Sequence, residues 1–204
     1  MIAIVDYGAG NLGSVKRACE AVGAAAEVVS DPAALARAER IIFPGVGHAA
    51  AAMQALRDAG LEDALITAFD KGTPILAICL GAQLVLDRSE EGGTAGMEFV
   101  WGSARRFQLD DPALPVPHVG WNEVQVTQAH PLLAGLCYGD RLYFSHSYYP
   151  ATIALRVYAT THYGIEFASA FGHRNLFAAQ FHPEKSGPRG LDIIRRFSTW
   201  DGTC

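Results

Sequence analysis

Pro74-Ile75-Leu76-Ala77-Ile78-Cys79-Leu80-Gly81-Ala82-Gln83 decides the fold. Ile75, Leu76, Ala77 and Ile78 form the unbroken apolar run expected of a parallel strand covered on both faces. The run stops at a thiol and resumes as Leu80, Leu84, Val85 and Leu86, which have helix-like spacing. Cys79 therefore stands at a strand-to-helix turn, and Gly81 lets backbone crowd that turn. The sulfur is then exposed above a sheet edge with the dipole of the next helix aimed at it, the layout of a nucleophile elbow with Cys in place of Ser. A lone Cys ending an apolar strand is ordinarily a small buried hydrophobe. The reactive reading therefore needs partners elsewhere in the chain.

Upstream of this stretch, strands and helices alternate. Ile2–Val5, Glu27–Val29, Ile41–Phe43 and Pro74–Ile78 read as short strands, with helices near Ser14–Val22, Pro32–Ala38, Ala49–Ala59 and Leu61–Lys71. The Ala-rich run from Ala49 is read as helix because Met53 and Leu56 give it an apolar stripe and Ala is the best helix former. Such alternation implies right-handed crossovers and a parallel sheet flanked by helices. After Asp87 the pattern changes. Ser89-Glu90-Glu91-Gly92-Gly93 is a polar loop, and β-type runs follow at Trp101–Phe107, Glu123–Val126, Arg141–Ser145, Ala154–Thr160, Glu166–Phe171 and Leu176–Gln180. The fold class is thus α/β, a mostly parallel sheet flanked by helices, with added antiparallel strands in the second half and a closing helix at Arg189–Phe197. At 204 residues, half of them hydrophobic, residues 1–204 suit a single domain.

The partners for Cys79 come from Gln180-Phe181-His182-Pro183-Glu184-Lys185-Ser186. His182 follows a strand directly, and Glu184 is near enough in sequence to bond the far nitrogen of its ring, fixing tautomer and orientation. The bland reading of Glu184 is a capping carboxylate before the last helix. A thiol needs a base to favour its thiolate, and the base needs an orienting group, so Cys79, His182 and Glu184 together are the inventory of a nucleophilic triad. Loops that follow strands in a parallel sheet gather at one edge. Asp6–Leu12 and Pro44-Gly45-Val46-Gly47 belong to that edge with Cys79 and His182. The Pro44–Gly47 loop reads either as a tight turn or as an oxyanion hole, in which its backbone N–H and that of Leu80 hold a developing negative oxygen.

Composition narrows the classes. The net charge is −5 with no Lys/Arg block, so no nucleic-acid footprint is expected. The first residues enter a strand without a basic leader, and the longest apolar stretch is too short to span a bilayer. Cytoplasmic residence is the expectation. The seven histidines include no helical pair among carboxylates, so no metal is expected, and no cofactor is implied. Cys19, Cys137 and Cys204 show no pairing motif and read as free thiols, Cys19 as core filler on a helix face.

Taken jointly and in order, these motifs resemble the class I glutamine amidotransferases and, more narrowly, the glutaminase subunits of imidazole glycerol phosphate synthases. The resemblance is carried by Asp6-Tyr7-Gly8-Ala9-Gly10-Asn11-Leu12, Pro44-Gly45-Val46-Gly47, Cys79-Leu80-Gly81-Ala82-Gln83, Ser89–Gly93, Pro117-His118-Val119-Gly120-Trp121-Asn122, Tyr143–Tyr149 and Phe181–Ser186. Ala77 and Ala82 depart from the family's usual Gly and frequent Met, and neither carries a reacting atom. The resemblance implies glutamine hydrolysis to glutamate and ammonia by Cys79, His182 and Glu184. It favours Gly47 and Leu80 as the oxyanion hole and puts Gln83, Ser147 and Tyr148 near bound glutamine. It further implies that ammonia passes to a (β/α)8 cyclase subunit that forms imidazole glycerol phosphate and aminoimidazole carboxamide ribotide, with Trp121, Asn122 and Lys185 toward the docking face. Trp121 could equally be core. A related amidotransferase or γ-glutamyl hydrolase would keep Cys79 and His182, but Gly-Trp-Asn and His-Ser-Tyr-Tyr argue against it. A non-catalytic redox thiol at Cys79 is disfavoured by the retained His-x-Glu.

Overall fold

A computed structural model describes residues 1–203, and Cys204, to which the sequence assigns no role, lies outside the described residues. The first half alternates as expected: β1 (Ile2–Val5), α1 (Leu12–Ala21), β2 (Ala26–Val29), α2 (Pro32–Leu35), β3 (Arg40–Gly45), α3 (Ala49–Asp58), α4 (Leu61–Asp70), β4 (Ile75–Cys79) and α5 (Leu80–Leu84). The second half is mainly strand: β5 (Leu86–Ser89), β6 (Thr94–Ala95), β7 (Val100–Arg106), β8 (His118–Glu123), β9 (Gln125–Val126), β10 (Arg141–His146), β11 (Tyr148–Thr152), β12 (Val157–Tyr163), β13 (Ile165–His173) and β14 (Leu176–Ala179). The closing helix is α6 (Gly187–Phe197).

Eight strands form the main sheet in the order β2-β1-β3-β4-β14-β13-β12-β9. β2, β1, β3, β4 and β14 run parallel, and β13, β12 and β9 continue antiparallel. β14 is inserted between β4 and β13, with Ala179 opposite Ile78, so the segments after Cys79 and after β14 leave the sheet at the same edge.

The core follows from the two-residue period of the strands. Ile75, Ala77, Ile41 and Phe43 face one way and pack on Met53, Leu56 and Leu65 of α3 and α4. Leu76, Ile78 and Ile42 face the other way and pack with Val15 and Cys19 of α1 and Ile194 and Phe197 of α6. Cys19 is core filler, as expected. A smaller sheet, β11-β7-β5-β6, shares the first cluster through Leu86, Phe99, Val100 and Ala104. The antiparallel β8–β10 pair shares the second through Leu142 and Phe144.

Several expectations need correction. The helix after Cys79 ends at Leu84, and Leu86 begins β5, because Val85 and Leu86 are buried against a parallel neighbour, β7, instead of completing a helical face. Ser89 closes that strand, so the expected polar loop is shorter and includes a 3₁₀ turn at Glu91–Gly93. Pro44 and Gly45 belong to β3, Gly45 lying opposite Cys79. The expected strand Glu123–Val126 is split at Val124 between β8, which pairs with β10, and β9, which pairs with β12. Ala154–Arg156 is a 3₁₀ turn preceding β12, and β11 has no counterpart among the strands expected from the sequence.

Candidate active site

Cys79 is the last residue of β4 and has φ 55° and ψ −108°, a conformation L-residues rarely adopt. Backbone of this kind costs on the order of 1–3 kcal/mol and persists only where its surroundings impose it. Here the imposing contact is Gly81. A Cβ on Gly81 would lie 2.1 Å from the Phe43 carbonyl oxygen, so only glycine allows the first turn of α5 to press against β3. Because α5 has five residues, the dipole support expected from sequence is limited to one turn.

The sulfur is nearly buried but opens on a cleft of about 310 Å³ lined by Val46, Gly47, Cys79, Leu80, Gln83, Glu91, Pro117, Ser145–Tyr148, His182 and Lys185. It lies 3.6 Å from Gln180 Nε2 and 3.8 Å from the Ser145 carbonyl. A larger hollow of about 660 Å³ lies over the smaller sheet beside Asp87, Arg88, Trp101 and Arg105, and none of the sequence candidates lines it.

His182 and Glu184 hydrogen-bond through Nδ1 and Oε1 at 2.8 Å, their side chains 3% and 2% exposed. Glu184 therefore orients the imidazole. It does not cap α6, whose N-cap is Ser186. The His182 loop is pinned to β10 twice, the His182 N–H donating to the Tyr143 carbonyl at 2.8 Å and Ser186 Oγ accepting from the Tyr143 N–H at 2.9 Å, and is closed on itself by Ser186 Oγ donating to the His182 carbonyl at 2.6 Å. Burial opposes charge on the imidazole, but Cys79, as a negative charge and hydrogen-bond partner, and then Glu184 outweigh it and raise His182 to about 10. The site thus favours an imidazolium held between sulfur and carboxylate.

Gly47 lines the cleft in a left-handed conformation, φ +101°, with open space where a side chain would be. Val46, Gly47 and His48 are exposed, and the chain is fixed again at Ala49, whose N–H donates to Glu91 Oε2 at 2.7 Å. Gln83 is 4% exposed; its Nε2 donates to the Tyr148 carbonyl at 3.0 Å and to Gln180 Oε1 at 2.9 Å.

Cys79, Leu80, Gly47, Gln83, Ser147, Tyr148, His182 and Lys185 thus share one cleft, with Glu184 directly behind His182. Trp121 and Asn122 lie outside it. Trp121 is 52% exposed, which rejects the core alternative, and its ring centroid is 6.2 Å from that of Tyr143. Lys185 Nζ lies 5.6 Å from the same Tyr143 ring, so Trp121, Tyr143 and Lys185 form one patch beside the cleft. Sequence reasoning missed Gln180, Tyr143 and His146. The signal for Gln180 was a carboxamide ending the otherwise apolar run Leu176–Ala179, fully buried beside the thiol strand.

The protein-family description Glutamine amidotransferase class-I matches residues 3–199. The chain belongs to the class-I glutamine amidotransferase family. Among curated relatives it is similar to imidazole glycerol phosphate synthase subunit HisH of Desulfovibrio desulfuricans, 46% identical over 202 residues, covering 97% of this chain and 93% of that protein. It is likewise similar to the HisH subunit of Acinetobacter baylyi, 44% identical over 205 residues and 98% of each chain. The fold matches a solved glutamine amidotransferase with TM-score 0.73 at 17% identity, covering 95% of this chain and 99% of that one. It also matches PurLQS from Thermotoga maritima, TM-score 0.71 at 19% identity over 96% of each chain.

Proposed function

We propose that this amidotransferase is the glutaminase subunit of an imidazole glycerol phosphate synthase, working through Cys79, His182 and Glu184. The observation that carries the catalytic reading is the convergence of a thiol on a strained elbow with a buried His–carboxylate pair at one sheet edge. In the proposed reaction the Cys79 thiolate attacks the side-chain carboxamide carbon of glutamine. The negative oxygen of the adduct is held by backbone N–H groups of Leu80 and of Gly47 when that loop turns inward. Collapse of the adduct breaks the C–N bond as His182 gives its proton to the leaving nitrogen, and ammonia departs. Water, deprotonated by His182, then cleaves the thioester and releases glutamate and the thiol. Glu184 holds the imidazole throughout. With both Gln83 N–H groups committed, its Oε1 is the atom offered to a substrate amine, and Ser147 and Tyr148 form the facing wall.

The likeness to HisH subunits supports a place in histidine biosynthesis and ammonia transfer to a (β/α)8 cyclase. The docking face of this reading is Trp121, Asn122 and Lys185, joined by Tyr143: an exposed aromatic and a cation beside the cleft is the composition of an interface anchor. Residues 1–204 are proposed to act as one domain, a reading supported by the core that both smaller sheets share with the main sheet. No helix among the described residues is long and apolar enough to cross a membrane. The compartment proposed for the enzyme, on its likeness to biosynthetic subunits, is the cytoplasm.

Glutamate release tests the reading, measured for the chain alone, with the cyclase, and with the cyclase and its nucleotide substrate. Feeble basal turnover should rise steeply in the full complex. Cys79→Ala should abolish it in all three, and Trp121→Ala should blunt the rise while sparing the basal rate. Equal turnover in all three conditions would point instead to a stand-alone hydrolase.

A further inference from the structure

A continuous set of hydrogen bonds links the outer strand β8 to the sulfur, and its polarity can be worked out atom by atom. A carbonyl oxygen only accepts, so His146, whose Nδ1 lies 2.7 Å from the Tyr148 carbonyl, carries its proton there. Neutral His146 must then accept at Nε2 from His118 Nδ1, 3.0 Å away. His118 in turn accepts at Nε2 from Asn122 Nδ2, at 3.3 Å. The Asn122 amide cannot be reversed, because its Oδ1 accepts from the Glu123 N–H at 2.8 Å and its Nδ2 also donates to the His162 carbonyl at 2.9 Å. Burial keeps both rings neutral, lowering His118 to about 4 and His146 to about 3.

A second arm reaches the same Tyr148 carbonyl from the other side. Gln83 must present Nε2 to it, and the remaining Gln83 N–H goes to Gln180 Oε1. That leaves the Gln180 amide nitrogen, not its oxygen, facing Cys79 Sγ at 3.6 Å. Gln180 is fully buried, and nothing in the reaction as derived above uses it.

We propose that Gln180 is a positioning residue that stabilises the Cys79 thiolate with an N–H···S contact. Its orientation is set by Gln83 and the Tyr148 carbonyl, and that carbonyl is itself held by the His146–His118–Asn122 arm. The part of the proposal that makes this arm a link to a docked partner rests on the function proposed above. The part concerning the sulfur does not. An amide pointing its oxygen at the thiolate would repel it, so the array supplies the sign as well as the place of the contact.

The test is the rate of iodoacetamide alkylation of Cys79 in the full chain, followed by peptide mass mapping to separate it from exposed Cys137, buried Cys19 and Cys204. Gln180→Met keeps length and apolar fit but removes the donor. Alkylation at neutral pH should slow by about tenfold, and the deficit should close as pH rises, because the thiolate then forms without help. The ionisable groups facing the sulfur are Tyr7, Glu91, His146, Lys185, and His182 with Glu184 behind it, and all are unaltered in this variant. A neutral-pH rate equal to wild type would overturn the proposal. If Gln180→Met does not fold, Gln180→Asn withdraws the donor by one methylene and is subject to the same criterion.

His118→Phe breaks the outer arm while keeping the stacking on Phe144 and Tyr163, whose centroids lie 5.0 Å and 3.9 Å from the His118 ring. It should raise KM for glutamine a few-fold, more than it lowers kcat, and unchanged constants would remove the arm from the array. Alkylation reads the sulfur without glutamine or cyclase. A shifted profile in a chain without glutaminase activity would therefore retain the array and discard the function.

Discussion

β3 and β4 lie side by side with Gly45 opposite Cys79, yet the backbone leaving each strand is held very differently. After β4, Leu80 to Gln83 are all buried, Gly81 is pressed on the Phe43 carbonyl, and the sulfur sits between Gln180 and Ser145. After β3, Gly45 is still fixed, since a Cβ there would lie 2.5 Å from Tyr7 Oη, but Val46, Gly47 and His48 are exposed until Glu91 takes the Ala49 N–H. The proposed nucleophile is therefore built in place, whereas the proposed charge-stabilising donor sits on a short exposed span. A ligand or partner can act only on a conformation that has alternatives. The exposed span has room for them and the packed elbow does not.

The sharpest way to break this contrast is to add one methyl group to each side. Gly47→Ala meets open space, so its folding cost is the backbone strain alone, about 1 kcal/mol, while kcat falls by about 10²–10³, the usual contribution of one oxyanion donor. Gly81→Ala should instead cost about 3 kcal/mol of folding stability, because its Cβ meets fixed backbone, and it should lose activity with the fold. Equal unfolding losses in the two variants would erase the distinction between the loop and the elbow.

Glu184→Gln sharpens it from the fixed side. Shape is kept but a charge is lost, and kcat should fall by about 10- to 100-fold with little change in KM, less than for loss of the nucleophile. Burial already opposes the imidazolium, so with Glu184 neutral the value of His182 drops from about 10 toward the ordinary range. The alkaline limb of the pH–rate profile should move to lower pH. A limb that stayed in place would show that Glu184 holds the ring only by packing.

The effect with least bearing on catalysis concerns acid. Burial lowers His118 and His130 to about 4 and His146 to about 3, from an ordinary 6.5. Below 6.5 the unfolded chain binds protons that the folded chain refuses, so this stability is complete above pH 6.5 and is lost as pH falls toward those values, by at most about 1.4 kcal/mol per pH unit for each proton. Urea midpoints at pH 7 and pH 5 should differ accordingly, and His146→Phe should flatten the dependence. His146 lines the cleft and His118 stands behind it, but none of the three rings lies on the exposed span, so the Val46–His48 amides should exchange freely at both pH values.

The parallel half of the fold was legible because strands covered on both faces write themselves as unbroken apolar runs, as Ile75–Ile78 does. The segment Val85–Leu86 was misread because residues buried on every side show no period that separates helix from strand. β8 was hidden by Gly120 and Asn122, which read as turn formers; its pairing with β10, Trp121 opposite Tyr143, is a tertiary fact. For the site, the thiol, histidine and carboxylate were visible because their chemistry is local to two short motifs. Gln180 was not, because its role depends on the neighbouring strand and on which way a carboxamide is turned, and neither is written in its own segment.

The insertion of β14 between β4 and β13 also bears on how the molecule comes into being. Cys79 and its strand emerge early in synthesis, but the place beside them stays empty until Leu176–Ala179 arrives from far along the chain. Pairings of such long sequence separation form late and slowly. Until then the thiol has neither Gln180 nor His182 beside it. A half-made chain therefore carries the thiol without its base or its amide donor, and chemical competence arrives only with closure of the sheet.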